Sequence, residues 1–68
     1  MDLKEINERY EKIILSNTPQ DEKDKQLAGL MSEMETDFNI PMLRRPEWER
    51  ENRSVIALYR KIANSRKL

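Results

Sequence analysis

The chain has 68 residues, 37% apolar and 38% charged, with thirteen basic and thirteen acidic side chains, one glycine, and neither cysteine nor histidine. A chain this short buries only roughly 60% of its unfolded surface, which excludes two domains or a catalytic cleft between large layers. Without cysteine or histidine there is no disulfide framework, no Cys/His zinc site and no histidine-activated nucleophile.

The longest apolar run, Ile13-Ile14-Leu15, is three residues long, against the ~18 that a bilayer span requires. The opening Met1-Asp2-Leu3-Lys4-Glu5 lacks the basic and apolar regions of a signal peptide, so a cytoplasmic protein is expected. Few β-branched residues and apolar positions at helical spacing predict an all-α fold.

The first helix is expected over about residues 2–17, with Leu3, Ile6, Tyr10, Ile13 and Ile14 on one face. Asp2 followed by Glu5 has the form of a capping box. Glu5 and Arg9, then Glu8 and Lys12, stand four apart in the favourable order. Pro19 ends the segment, because the residue before a proline avoids the helical region.

The second helix is expected over about residues 20–38, with Leu27, Leu30, Met31, Met34 and Phe38 in one stripe. Thr18 is its expected cap, with Pro19 in the first turn. Residues 19–26 hold nothing apolar, so this opening stretch belongs to the connection or projects past the core. Gly29 in mid-helix costs about 1 kcal/mol relative to alanine, and close approach of another backbone is the expected reason. Asn39 is a suitable stop, since asparagine tolerates the left-handed conformation.

A third helix is expected over about residues 46–65, with Trp48, Val55, Leu58, Tyr59 and Ile62 inward. Folding the chain back on itself sets Leu3 opposite Phe38, Tyr10 opposite Met31 and Ile14 opposite Leu27. The second hairpin sets Phe38 opposite Trp48, Met31 opposite Val55 and Leu27 opposite Tyr59. These registers predict one small three-helix bundle made of two antiparallel hairpins. Leu15, Ile40, Met42, Leu43 and Ile56 are left over, and a homodimer would bury them.

Charge is unevenly placed. Residues 18–40 carry two basic and six acidic side chains, residues 41–68 eight basic and three acidic. On a helical wheel Arg50, Arg53, Arg60, Lys61 and Lys67 fall opposite the apolar face of the third helix, with Glu49 the lone acid among them. Such a stripe is either a solvated face or a surface for an acidic partner: a protein, nucleic-acid phosphate or anionic lipid. Neither connection has the short glycine-containing joint of a helix-turn-helix.

The carboxylates at Asp21, Glu22 and Asp24, and at Glu33, Glu35 and Asp37, are expected to form a solvated acidic face. Acid–base or cation chemistry would need them to converge in a shielded pocket. Met31 and Met34 are expected in the core. Ile40, Met42 and Leu43 put three apolar side chains into a short connection between prolines, either a lid over the Phe38–Trp48 end or an exposed docking site.

The function expected is a non-enzymatic protein–protein interaction or regulatory adaptor module without cofactor or metal. Its partner surface would combine Ile40, Met42 and Leu43 with Arg50, Arg53, Arg60, Lys61 and Lys67. A nucleic-acid-associated accessory protein using the basic face is the alternative. A bacteriocin-immunity-like helical protein is a third, argued only from size, helicity and a basic C-terminus.

Overall fold

Helix α1, Leu3–Leu15, begins where Asp2 Oδ1 accepts a hydrogen bond from the Glu5 backbone N–H at 2.8 Å. The computed structural model describes residues 2–66, and all regular structure among them is helical. Three further helices follow: α2, Gln20–Asp37, α3, Pro46–Glu51, and α4, Arg53–Asn64. Helices α1, α2 and α4 pack pairwise on one another, and α3 lies against α4. The radius of gyration is 12.1 Å against about 11 Å for a sphere-like chain of this length, and the long axis measures 38 Å.

The buried core consists of Ile6 and Tyr10 from α1, Leu27, Leu30 and Met34 from α2, and Val55 and Ile62 from α4. Met31, Phe38, Trp48, Leu58 and Tyr59 pack around it half-buried. Periodicity explains this division, because residues three and four apart share one face of each helix.

Helix α2 starts at Gln20 with Pro19, not Thr18, as its cap residue and no side-chain capping bond. The Pro19 carbonyl accepts from the Lys23 N–H at 3.0 Å, so the ladder starts one residue later than the capping pattern implies. The polar opening turns are helical and Asp24 is buried, which corrects its assignment to a solvated face. Asp24 stands three residues before Leu27 and so shares its inward side, where its carboxylate accepts from Gln20 Nε2 at 2.8 Å.

Gly29 is also different from expectation. A methyl group placed there would meet nothing within 4 Å, and the residue is exposed, so no neighbouring backbone requires glycine.

Asn39 ends α2 in the left-handed region at φ 54°, and the Ile40 N–H reaches back to the Glu35 carbonyl at 3.1 Å. This is the six-residue closure of a Schellman motif, which turns the chain sharply out of the helix.

The expected single helix over 46–65 is two. Asn52 takes φ −124° and ψ 45°, and its side-chain Nδ2 joins its backbone N–H on the Trp48 carbonyl, each at 2.9 Å. An asparagine amide that bonds a local carbonyl competes with the regular helical conformation, and the axis breaks there.

The first hairpin brings Arg9 to Glu33 in a paired contact of 3.0 and 2.6 Å, and Glu5 adds a weaker attraction to the same guanidinium. In the second, the Tyr59 hydroxyl donates to Glu35, two turns beyond Leu27 on α2, and Arg66 Nη1 reaches Met31 Sδ at 3.6 Å. Helix α4 therefore sits further along α2 than an unbroken third helix would place it.

Candidate functional site

The connection between α2 and α3 divides its apolar residues. Ile40 is half-buried and packs against the core, whereas Met42 is 103% exposed and Leu43 80%. The Schellman closure draws Ile40 inward, and the prolines at 41 and 46 keep the intervening backbone out of a helix. Ile40 is thus a lid residue, and Met42 and Leu43 form a projecting tip. A cleft of about 450 Å³ runs beneath the connection, lined by Glu35 of α2 and by Ile56 and Tyr59 of α4.

Basic residues surround this tip unequally. Arg60 Nη2 lies 2.5 Å from Glu49 Oε1, and Arg44 Nε lies 3.5 Å from Glu49 Oε2. Glu49 is therefore not a stray acid on a basic stripe. With its side chain only 17% exposed, it anchors the α3–α4 corner and the base of the connection. Lys61 sits over the Tyr10 ring at 5.2 Å from its centroid, a cation–π contact that turns it away from the tip. Tyr10 in turn shares a 2.7 Å hydrogen bond with Ser65 Oγ, tying α4 to α1.

Arg50 and Arg53 are exposed and, like Arg45, make no ion pair among the described residues. Arg50 and Arg53 line a shallow groove with Arg44, Pro46 and Ile56, immediately beside the cleft under the tip. The expected surface is therefore split. Met42, Leu43, Arg50 and Arg53 face solvent together, whereas Ile40, Arg60 and Lys61 are engaged within the fold. Lys67 lies outside the described residues.

Arg44 and Arg45 belong to this surface although periodicity did not single them out. Their signal was adjacency: they follow Leu43 directly and precede Pro46, so the same non-helical backbone presents all four side chains from 42 to 45.

Three side chains are electrostatically perturbed. Hydrogen bonds from Arg9 hold the Glu33 carboxyl below its usual range, and the same contact raises Arg9. Burial pushes the Tyr59 phenol up to about 12, reinforced by the hydrogen bond to the Glu35 carboxylate. Among the described residues no three acidic side chains converge to hold a metal ion, and no helix is long and apolar enough to cross a membrane. No family model matches the sequence, and no curated protein and no solved structure matches it either.

Proposed function

We propose that the chain is a small cytoplasmic, non-catalytic binding module. In this reading α1, α2 and α4 act as a three-helix bundle that presents the Met42–Leu43 tip and its arginines to an acidic protein surface. One observation carries the reading: although seven other large apolar side chains among the described residues are buried, Met42 stands fully in water and Leu43 is 80% exposed. Exposing them gives the isolated chain nothing, whereas a partner that covers them gains roughly 1.5–3 kcal/mol for each side chain. Arg45, Arg50 and Arg53 add a long-range attraction to negative charge that speeds encounter and favours acidic partners.

The test is a photo-crosslinking amino acid placed at Met42 in cells, compared with the same probe at exposed Lys4 on α1. The expected result is a discrete protein adduct from position 42 alone. Equal labelling from both sites, or none from position 42, contradicts the proposal.

The unpaired arginines also favour a second reading, phosphate contact with nucleic acid. That reading requires binding that weakens steeply with salt and fails in Arg50→Ala/Arg53→Ala. Absence of nucleic-acid binding at low salt removes it.

A further inference from the structure

Among the described residues three large apolar side chains stand exposed, and they form two groups with opposite charge around them. Met42 and Leu43 run directly into Arg44 and Arg45, and Arg50, Arg53 and Arg60 line the adjoining groove; with Glu35, Glu47, Glu49 and Glu51 counted, this end stays slightly positive. Leu15, 80% exposed, ends α1 in a shallow hollow lined by Glu8, Glu11, Lys12 and Ser16. Lys23 Nζ bonds the Ile14 carbonyl at 3.2 Å, which brings the first turn of α2, with exposed Asp21 and Glu22, to the same end. With Lys12, Lys23 and Lys25, the last 3.7 Å from Glu22, this end stays slightly acidic.

The two groups cannot meet within one molecule. Helix α2 runs from the Leu15 end to the connection that carries the tip, and its residues 20–35 alone span about 22 Å. They also lie on different faces. The connection covers the groove between α2 and α4, whereas the Leu15 hollow belongs to the outer side of α1.

We infer that the Leu15 end of one copy docks on the Met42–Leu43 tip of the next, so that the chain associates head to tail with itself. The inference rests on the tip being a docking surface and names its occupant: a second copy of this chain. Charge complementarity selects that occupant, since each patch places an uncovered apolar centre within charge of the sign the other lacks. Because the patches occupy opposite ends and faces, one pair of molecules satisfies a single contact and leaves one patch free on each partner. Such a heterologous contact adds further copies instead of closing into a two-fold dimer. The few apolar side chains at each end place it in the weak, transient class.

Sedimentation velocity from micromolar to millimolar protein tests this with the intact chain and two variants. Leu15→Lys removes one patch and Met42→Asp/Leu43→Asp the other. All three positions are exposed, so circular dichroism should remain that of the wild type. The wild type should grow past dimer with concentration, and less so at high salt. Each variant alone should remain monomeric. Their equimolar mixture should stop at a dimer, because only one intact tip and one intact Leu15 end remain in each pair. Glu8→Lys/Glu11→Lys, which leaves every apolar residue in place, should also lose self-association.

A wild type that stays monomeric at millimolar concentration overturns the inference. So does a wild type that stops at dimer, or a mixture of the two variants that stays monomeric. Monomeric protein together with a discrete adduct to another protein from position 42 would refute self-association while leaving the binding-module reading intact.

Discussion

Ile62 lies at the meeting of α4 with α1 and α2 and has no exposed surface. Changing it to alanine removes three carbons, worth about 2.4 kcal/mol of transfer free energy at ~0.8 per group. Incomplete collapse of the cavity brings the total to about 3–4 kcal/mol. A domain of this length has only about 3–10 kcal/mol of stability, so the variant should stand near the edge of folding. With a urea dependence of about 1 kcal/mol per molar, its midpoint by circular dichroism should fall by about 3 M. Leu43→Ala removes a comparable group from a side chain that is 80% exposed, and should change stability by less than about 0.5 kcal/mol. If Ile62→Ala came within about 1 kcal/mol of Leu43→Ala, the assignment of core and tip would be wrong.

Gly29→Ala should stabilise the protein by about 1 kcal/mol in the same urea assay, because the site is helical and open; a loss would reveal a contact that the fold does not contain. Tyr59, raised to about 12, should titrate late in a phenolate absorbance titration. Its neutral form contributes stability that is complete below the ordinary tyrosine value and lost as pH rises towards 12; a late fraction that survives Tyr59→Phe would contradict the assignment. Glu33, with its folded value lowered by Arg9, contributes stability present above the ordinary carboxyl range and lost as pH falls through that lowered value. Melting temperatures at neutral and acid pH should therefore fall further for the wild type than for Glu33→Gln, and parallel falls would mean the pair adds nothing in solution.

The helical class was legible because apolar residues recur at three- and four-residue steps, and the cap at Asp2 and the left-handed stop at Asn39 follow from local chemistry. What escaped depends on partners distant in sequence or on competing local bonds. The break at Asn52 arises from an amide bonding the Trp48 carbonyl, which an apolar stripe running through both halves conceals. Glu49 reads as a surface acid until Arg44 and Arg60 close on it. Asp24 reads as solvated because composition records its charge and not the face it shares with Leu27. At the candidate site, apolar residues in a connection were visible in the sequence. Their division into an inward Ile40 and an outward Met42–Leu43 depends on the turn that follows Asn39.

Methionine oxidation tests the central division between core and tip most directly, since Met34 is fully buried, Met31 half-buried and Met42 fully exposed. Dilute native protein treated with peroxide and resolved by peptide mass spectrometry should show Met42 oxidised at the rate of an unfolded peptide. Met31 should follow more slowly and Met34 last. Protection of Met42 comparable to that of Met34 would mean that the chain covers its own tip, and the proposed docking surface would not exist.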